Sequence, residues 1–299
     1  MGRMSRTGDA NWPPAASLLG EFPEAPVALL GLHTHTTSVT HRSAQSTPNA
    51  IREALNRYST WSYEDATDLE HRGGIWDLGN VENADEVSSA ALRTHLARAD
   101  NAKLRIVLGG DNAVTWHALK ARSGGDYSNV GLITLDAHLD MREGRSNGSP
   151  VRQLIEEGLD PRHIVQIGLA DFSNSAQYAA AAREAGGTVI TRAQLRSLSI
   201  VDAAKRALDI AGADGRIIHC DIDVDVIDRA FVPGCPAAAP GGLTPDEVRQ
   251  FARVIASDPR VDTLDITEID IDRDINENTV RLAALLVLEA YAGVLRRVP

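Results

Sequence analysis

A chain of 299 residues, 43% hydrophobic and 24% charged, is long enough to bury a sizeable core and has the composition of a globular protein. Its formal net charge of -11 excludes a nucleic-acid partner, because no basic surplus is present to neutralise phosphates. Only Cys220 and Cys235 are present, which excludes a disulfide framework and fits a reducing cytoplasm.

Residues 1–24, polar and rich in Gly, Pro and Ala, are expected to form a flexible lead-in. They lack the apolar core of a signal peptide, and no later run is expected to span a membrane. A single domain is expected over 25–299. VALLGL (27–32) reads as a strand and 48–59 as a helix opened by Pro48. A helix over 84–99 leads to strand 104–110, a further helix starts near Ala113, and 130–136 is again a strand. Strands at 163–169 and 187–191 flank an alanine-rich helix. Strands at 216–223 and 261–270 flank a helix over 244–257, and 280–297 is a long apolar helix. Such alternation predicts a three-layer α/β/α sandwich with a mainly parallel sheet covered on both faces.

In these sheets ligands bind beyond the carboxyl ends of the strands. The conspicuous polar residues fall there: GGDN (109–112), DAHLD (136–140), DIDVDVID (221–228) and Glu268. If 136–140 is extended, Asp136, His138 and Asp140 point to one face, and carboxylates converging there need a cation between them. A solvated loop or a helix cap accounts for one DxD, but poorly for two acidic runs that each follow a buried type of strand. Many carboxylates with one imidazole suit a hard divalent ion, manganese in particular, better than zinc. Two ions about 3.5–4 Å apart would explain the number of acids.

The ordered set GGDN, DAHLD, DVDVIDRAFVPG, PGGLT and ITEID resembles the ureohydrolases, the arginase, agmatinase and formimidoylglutamase family, over residues 27–296. The resemblance implies a dinuclear manganese site, and assembly as a homo-oligomer, a trimer or hexamer. It implies bridging ligands at Asp136 and Asp223, one ion completed by His138 and Asp225, and the other by Asp140 and Asn112. Asp221 stands where the family commonly has serine, and Asp228 is expected to be a supporting acid. The chain departs from the family pattern twice. Asn112 replaces a histidine, so the first ion is expected to be weakly held and one or two ions per subunit to bind. Asn147, in a segment comparable to one that carries a proton-shuttling histidine, cannot transfer a proton at neutral pH. His33, His35 and His41 follow the first strand on the same rim, where they either reach the site or are surface residues. His117 is expected to pack.

The chemistry implied is attack of hydroxide on the trigonal carbon of an amidine or guanidine, with His138 and Asp140 at the reacting centre. Asp140 would hold the tetrahedral intermediate, and Glu268 would face the cationic group of the substrate. Arg142, directly after the metal loop, is similar to formimidoylglutamases and would bind a substrate carboxylate, with Asn147 nearby. Arg145 and Arg152 either join it or pair with Glu143, Glu156 and Glu157. The expected reaction is N-formimidoyl-L-glutamate plus water to L-glutamate and formamide. One alternative is urea release from a guanidino acid, agmatine or arginine. Another is a catalytically weak member that binds metal or a partner protein.

Overall fold

The computed structural model describes residue 9, residues 11–40 and residues 46–297. Along the chain come β1 (Leu19–Gly20), β2 (Val27–Leu32), α1 (Thr47–Ala54), the antiparallel pair β3 (Trp61–Ser62) and β4 (Thr67–Asp68), β5 (Ile75–Val81), α2 (Ser89–Ala97), β6 (Leu104–Leu108), α3 (Ala113–Ser123) and β7 (Val130–Leu135). The second half adds α4 (Pro150–Glu156), β8 (Ile164–Leu169), α5 (Ala176–Ala185), β9 (Thr188–Thr191), α6 (Ile200–Ala211), β10 (Ile217–Asp223), α7 (Pro245–Ser257), β11 (Val261–Thr267) and α8 (Asn278–Leu295).

Nine strands form one parallel sheet in the order β1-β5-β2-β6-β11-β10-β7-β8-β9. Helices α1, α6, α7 and α8 cover one face and α2–α5 the other, which is the expected three-layer sandwich. The central strands carry a different chemistry on each face. In β10, Ile218, Cys220 and Ile222 enter the core under α6–α8, while His219, Asp221 and Asp223 alternate onto the opposite face. Ile218, Ile222, Leu264 and Ile266 are fully buried, each contributing about 1.5–3 kcal/mol, which offsets the cost of buried polar groups on the other face. Since β6, β11, β10 and β7 are neighbours, residues 109–112, Glu268, 223–225 and 136–140 emerge side by side at one edge.

Two expectations are corrected, and one strand goes unannounced in the sequence. The lead-in is held from Pro14 onward: Ala15–Leu18 make a 3-10 turn, and Ala15 and Leu18 are buried beside Ile51 and Leu55. Strand β1 then pairs with β5. Next, α8 is long and apolar enough to cross a membrane by length and composition, with mean hydropathy 1.4. It is a core helix here, 78% buried against its neighbours α1 and α7. Finally, β5 is not announced by any apolar alternation, because Asp77, Gly79 and Asn80 interrupt it. Gly79, at φ 78, sits where the β2–β5 register shifts, and Arg52 of α1 donates to Asp77 and Asn80, so the polar residues are satisfied within the sheet.

Candidate metal centre

Strand β7 stops at Leu135, so Asp136, His138 and Asp140 do not converge by strand alternation as expected. The chain turns instead: Asp136 donates its N–H to Ile167 O at 2.9 Å, and Asp140 adopts a left-handed φ of 53°. A non-glycine residue held there costs about 1–3 kcal/mol, which the surrounding contacts must supply. The result is still convergence. His138 Nδ1 lies 2.8 Å from Asp225 Oδ2 and 3.6 Å from Asp136 Oδ1. One donor atom from each of Asp136, His138 and Asp225 falls within 4.8 Å of the other two.

The second acidic run is built differently. Asp223 closes β10 and its Oδ1 accepts the Asp225 N–H at 2.8 Å, capping the 3-10 turn Val224–Val226. That turn swings Asp225 over the first loop, where its Oδ1 accepts the Ala137 N–H at 3.1 Å. Asp221 lies beneath, fully buried beside Asp265, which His219 Nε2 approaches at 2.8 Å. Asp228 accepts the N–H groups of Ala230 and Gly241 and ties its own loop together.

Asp140 and Glu268 are joined through Asn112 and Asn147. Asn112 donates Nδ2 to Asp140 Oδ2 at 2.6 Å and its backbone N–H to Glu268 Oε1 at 2.9 Å. Its amide oxygen accepts from the hydroxyls of Thr115 and Thr267, at 3.1 and 2.9 Å. Asn112 therefore turns a donor, not a lone pair, toward the acids, in contrast to its expected place as a ligand. Asn147 donates Nδ2 to Glu268 Oε1 at 2.8 Å and accepts the Val39 N–H at 2.9 Å. Glu268 itself holds a left-handed φ of 68°.

The electrostatics of these residues suit a bound cation. Burial pushes Asp136 up to about 7, with Asp225 adding to it. Burial also carries Asp140 and Asp223 well above their usual range, reinforced by Asp136 and by Asp225 respectively. For His138 burial acts downward, but the carboxylates of Asp225 and Asp136 outweigh it and lift the imidazole to about 12. Asp225 runs opposite to the other acids: burial would raise it, and the His138 charge holds it below the ordinary value. Asp136 Oδ2 is buried with no hydrogen-bond partner. A cation among these atoms removes each of these penalties. Four carboxylates and one imidazole are a donor set that fits manganese.

A cavity of about 360 Å³ opens above these groups, lined by His138, Asp140, Asp223, Asp225 and Glu268 at its base. Arg142, Asn147, Asn174 and Tyr178 form its walls. Among the described residues the Arg142 guanidinium has no ion pair, and its stem lies across Gly148, where a Cβ would come within 2.7 Å of Arg142 Cδ. Arg145 stacks on Trp116 at 4.5 Å and Arg152 pairs with Glu156 at 2.8 Å, so neither faces the cavity. His33 pairs with Glu82, and His35 donates its N–H to Asp85; neither lines the cavity. His117 packs edge-on to Trp116, and His41 lies outside the described residues. Sequence reasoning passes over Asp111, which burial and then Glu268 push up to about 6 and which accepts from Ser38 Oγ. It also passes over the amides of Gln166 and Asn174, whose partners are backbone atoms of a distant loop and leave no spacing signal.

Comparison with known proteins identifies the family. The profile of the Arginase family matches residues 25–293. The chain is 35% identical over 283 residues to a formimidoylglutamase of Halalkalibacterium halodurans, covering 89% of this chain and 86% of that one. It is 32% identical over 281 residues to a formimidoylglutamase of Bacillus subtilis, again covering 89% and 86%. The crystal structure of the Bacillus subtilis protein superposes with a TM-score of 0.91, at 27% identity and covering 99% of this chain and 96% of that one. Trypanosoma cruzi formiminoglutamase with Mn2+2 superposes at 0.85, with 25% identity, covering 96% of this chain and 100% of the other. The chain belongs to the Arginase family.

Proposed function

We propose that the protein is a manganese-dependent formimidoylglutamase, converting N-formimidoyl-L-glutamate and water to L-glutamate and formamide. The convergence of Asp136, His138 and Asp225 at the base of a cavity with Arg142 on its wall carries this reading. The relatives named formimidoylglutamase and the manganese of the trypanosomal structure support it. Asp136, His138, Asp223 and Asp225 would hold the ion, with Asp140 contributing to a second. Bound there, manganese supplies Lewis acidity and hydroxide at neutral pH.

The chain's own residues do the rest. Arg142 binds a carboxylate of the glutamate moiety and so orients the formimidoyl carbon over the acids. Glu268, fixed by Asn112 and Asn147, faces the cationic amidine. Asp140 stabilises the tetrahedral intermediate as the C–N bond to glutamate breaks and a proton passes to the departing nitrogen. A cavity of this volume suits a small dicarboxylate. Two buried, unpaired thiols accord with a cytoplasmic enzyme.

The test is the pair of products. Manganese-loaded protein given N-formimidoyl-L-glutamate is expected to release formamide and L-glutamate in equal amounts, and to release no urea from agmatine or L-arginine. Urea release without formamide would overturn the assignment.

A further inference from the structure

The loop that carries His138 has no regular secondary structure, so its backbone groups must find partners elsewhere. Two amide side chains outside the donor set provide them. Asn174, in the segment after β8, accepts the Leu139 N–H on Oδ1 at 2.8 Å and donates Nδ2 to Ala137 O at 3.0 Å. These atoms belong to the two peptide groups that flank His138. Gln166, buried within β8, donates Nε2 to Leu139 O at 2.9 Å, on the peptide that leads into the left-handed Asp140. Ala170 adds its N–H to Ala137 O at 3.0 Å.

Asn174 accepts on Oδ1 and donates from Nδ2 across one residue, a pairing its planar amide supplies on two separate atoms; an aspartate could only accept and a leucine could do neither. Gln166 sits between the core residues Val165 and Ile167. A buried amide there costs free energy unless its hydrogen bond is made, so packing alone does not account for it.

We propose that Asn174 and Gln166 are positioning residues of the metal loop. They hold the peptides on either side of His138, and the peptide before Asp140, in the conformation that brings both side chains to manganese. This inference rests on the manganese reading above.

The test uses the full-length protein, measuring Mn(II) affinity by the EPR signal of free ion, the EPR line shape of bound ion, and the thermal midpoint without metal. Changing groups that orient ligands typically weakens metal affinity by about 10–100-fold. Asn174→Ala, on a half-buried segment, and Gln166→Leu are each expected to weaken binding about tenfold or more and to alter the bound-ion line shape. Gln194→Ala removes a comparable amide bond, to the Thr191 N–H, and is expected to leave both unchanged. Affinities within twofold of the unaltered protein in both Asn174→Ala and Gln166→Leu would overturn the inference. So would an equal loss in Gln194→Ala. Failure of the unaltered protein to bind manganese would overturn the metal reading and this inference together.

Discussion

Asn147 Nδ2 lies 2.8 Å from Glu268 Oε1, while the same amide accepts the Val39 N–H on its oxygen. One side chain thus ties the segment after β2 to the acid that closes β11. A hydrogen bond to a charged group is worth about 1.5–3 kcal/mol, or about 10–100-fold in rate if it is lost in the transition state. Asn147→Ala is expected to lower kcat/KM on N-formimidoyl-L-glutamate by that range. Steady-state kinetics showing a change below twofold would remove Asn147 from the site.

Asn112 turns its Nδ2 to Asp140 and spends its oxygen on Thr115 and Thr267. A histidine there would offer a nitrogen lone pair beside Asp140. Asn112→His is expected to raise the manganese retained per subunit after dialysis toward two ions. Metal analysis of the dialysed protein measures this directly, and unchanged retention would contradict it.

The buried acids set a pH dependence whose sign can be worked out. The folded, metal-free protein keeps Asp136 protonated up to about 7, and Asp140 and Asp223 beyond their usual range, whereas the unfolded chain releases these protons near 4. The folded state therefore binds more protons between about 4 and 7, and its stability falls as pH rises through that window. His138, raised to about 12, acts in the same direction above its ordinary value. Manganese must displace these protons, so its affinity should rise with pH from 6 to 8 and binding should release protons. Calorimetry in buffers of different ionisation enthalpy measures the release. The metal-free thermal midpoint should be higher at pH 6 than at pH 8, with a larger upward shift from manganese at pH 8.

Arg142 stands at the cavity wall with its stem across Gly148. Arg142→Ala should raise KM for the dicarboxylate by about tenfold, the effect of losing a charge-assisted contact of roughly 1.5 kcal/mol. Gly148→Ala should act in the same direction by displacing the Arg142 stem, with kcat changed less than KM. Equal KM values in all three proteins would place the substrate carboxylate elsewhere.

Away from the site, Arg105 is buried and donates to Asp262 Oδ1 at 2.6 Å, and Arg122 shares the same carboxylate. Removing one partner of a buried pair costs about 3–5 kcal/mol because the other charge is stranded. Asp262→Ala should lower the stability measured by chemical denaturation by about that amount while leaving manganese affinity intact.

The parts of this protein legible in its sequence are those where one strand carries its own message. Strands β2, β6 and β7 are short apolar runs, β6 stopping at Gly109-Gly110 and β7 at Asp136, while β10 and β11 alternate apolar and polar residues up to Asp223 and Glu268, so both the sheet and its polar edge can be read. Asp136, His138 and Asp225 come together through loops and a 3-10 turn rather than through strand alternation. What escaped depends on contacts between distant segments. Strand β5 is hidden because Arg52 permits its polar residues, and Ala15 and Leu18 are core only because Ile51 and Leu55 leave room for them. The roles of Asn112, Asn174 and Gln166 lie in which backbone or hydroxyl group each meets, which no spacing encodes.

The most direct test of the account titrates manganese into metal-stripped protein while following formamide release from N-formimidoyl-L-glutamate by NMR. Turnover should rise in proportion to the ion bound per subunit and be absent in Asp225→Asn, which weakens the partner of His138. Metal-stripped protein that turns over as fast as the loaded protein, or Asp225→Asn at full activity, would contradict a hydrolysis centred on Asp136, His138 and Asp225.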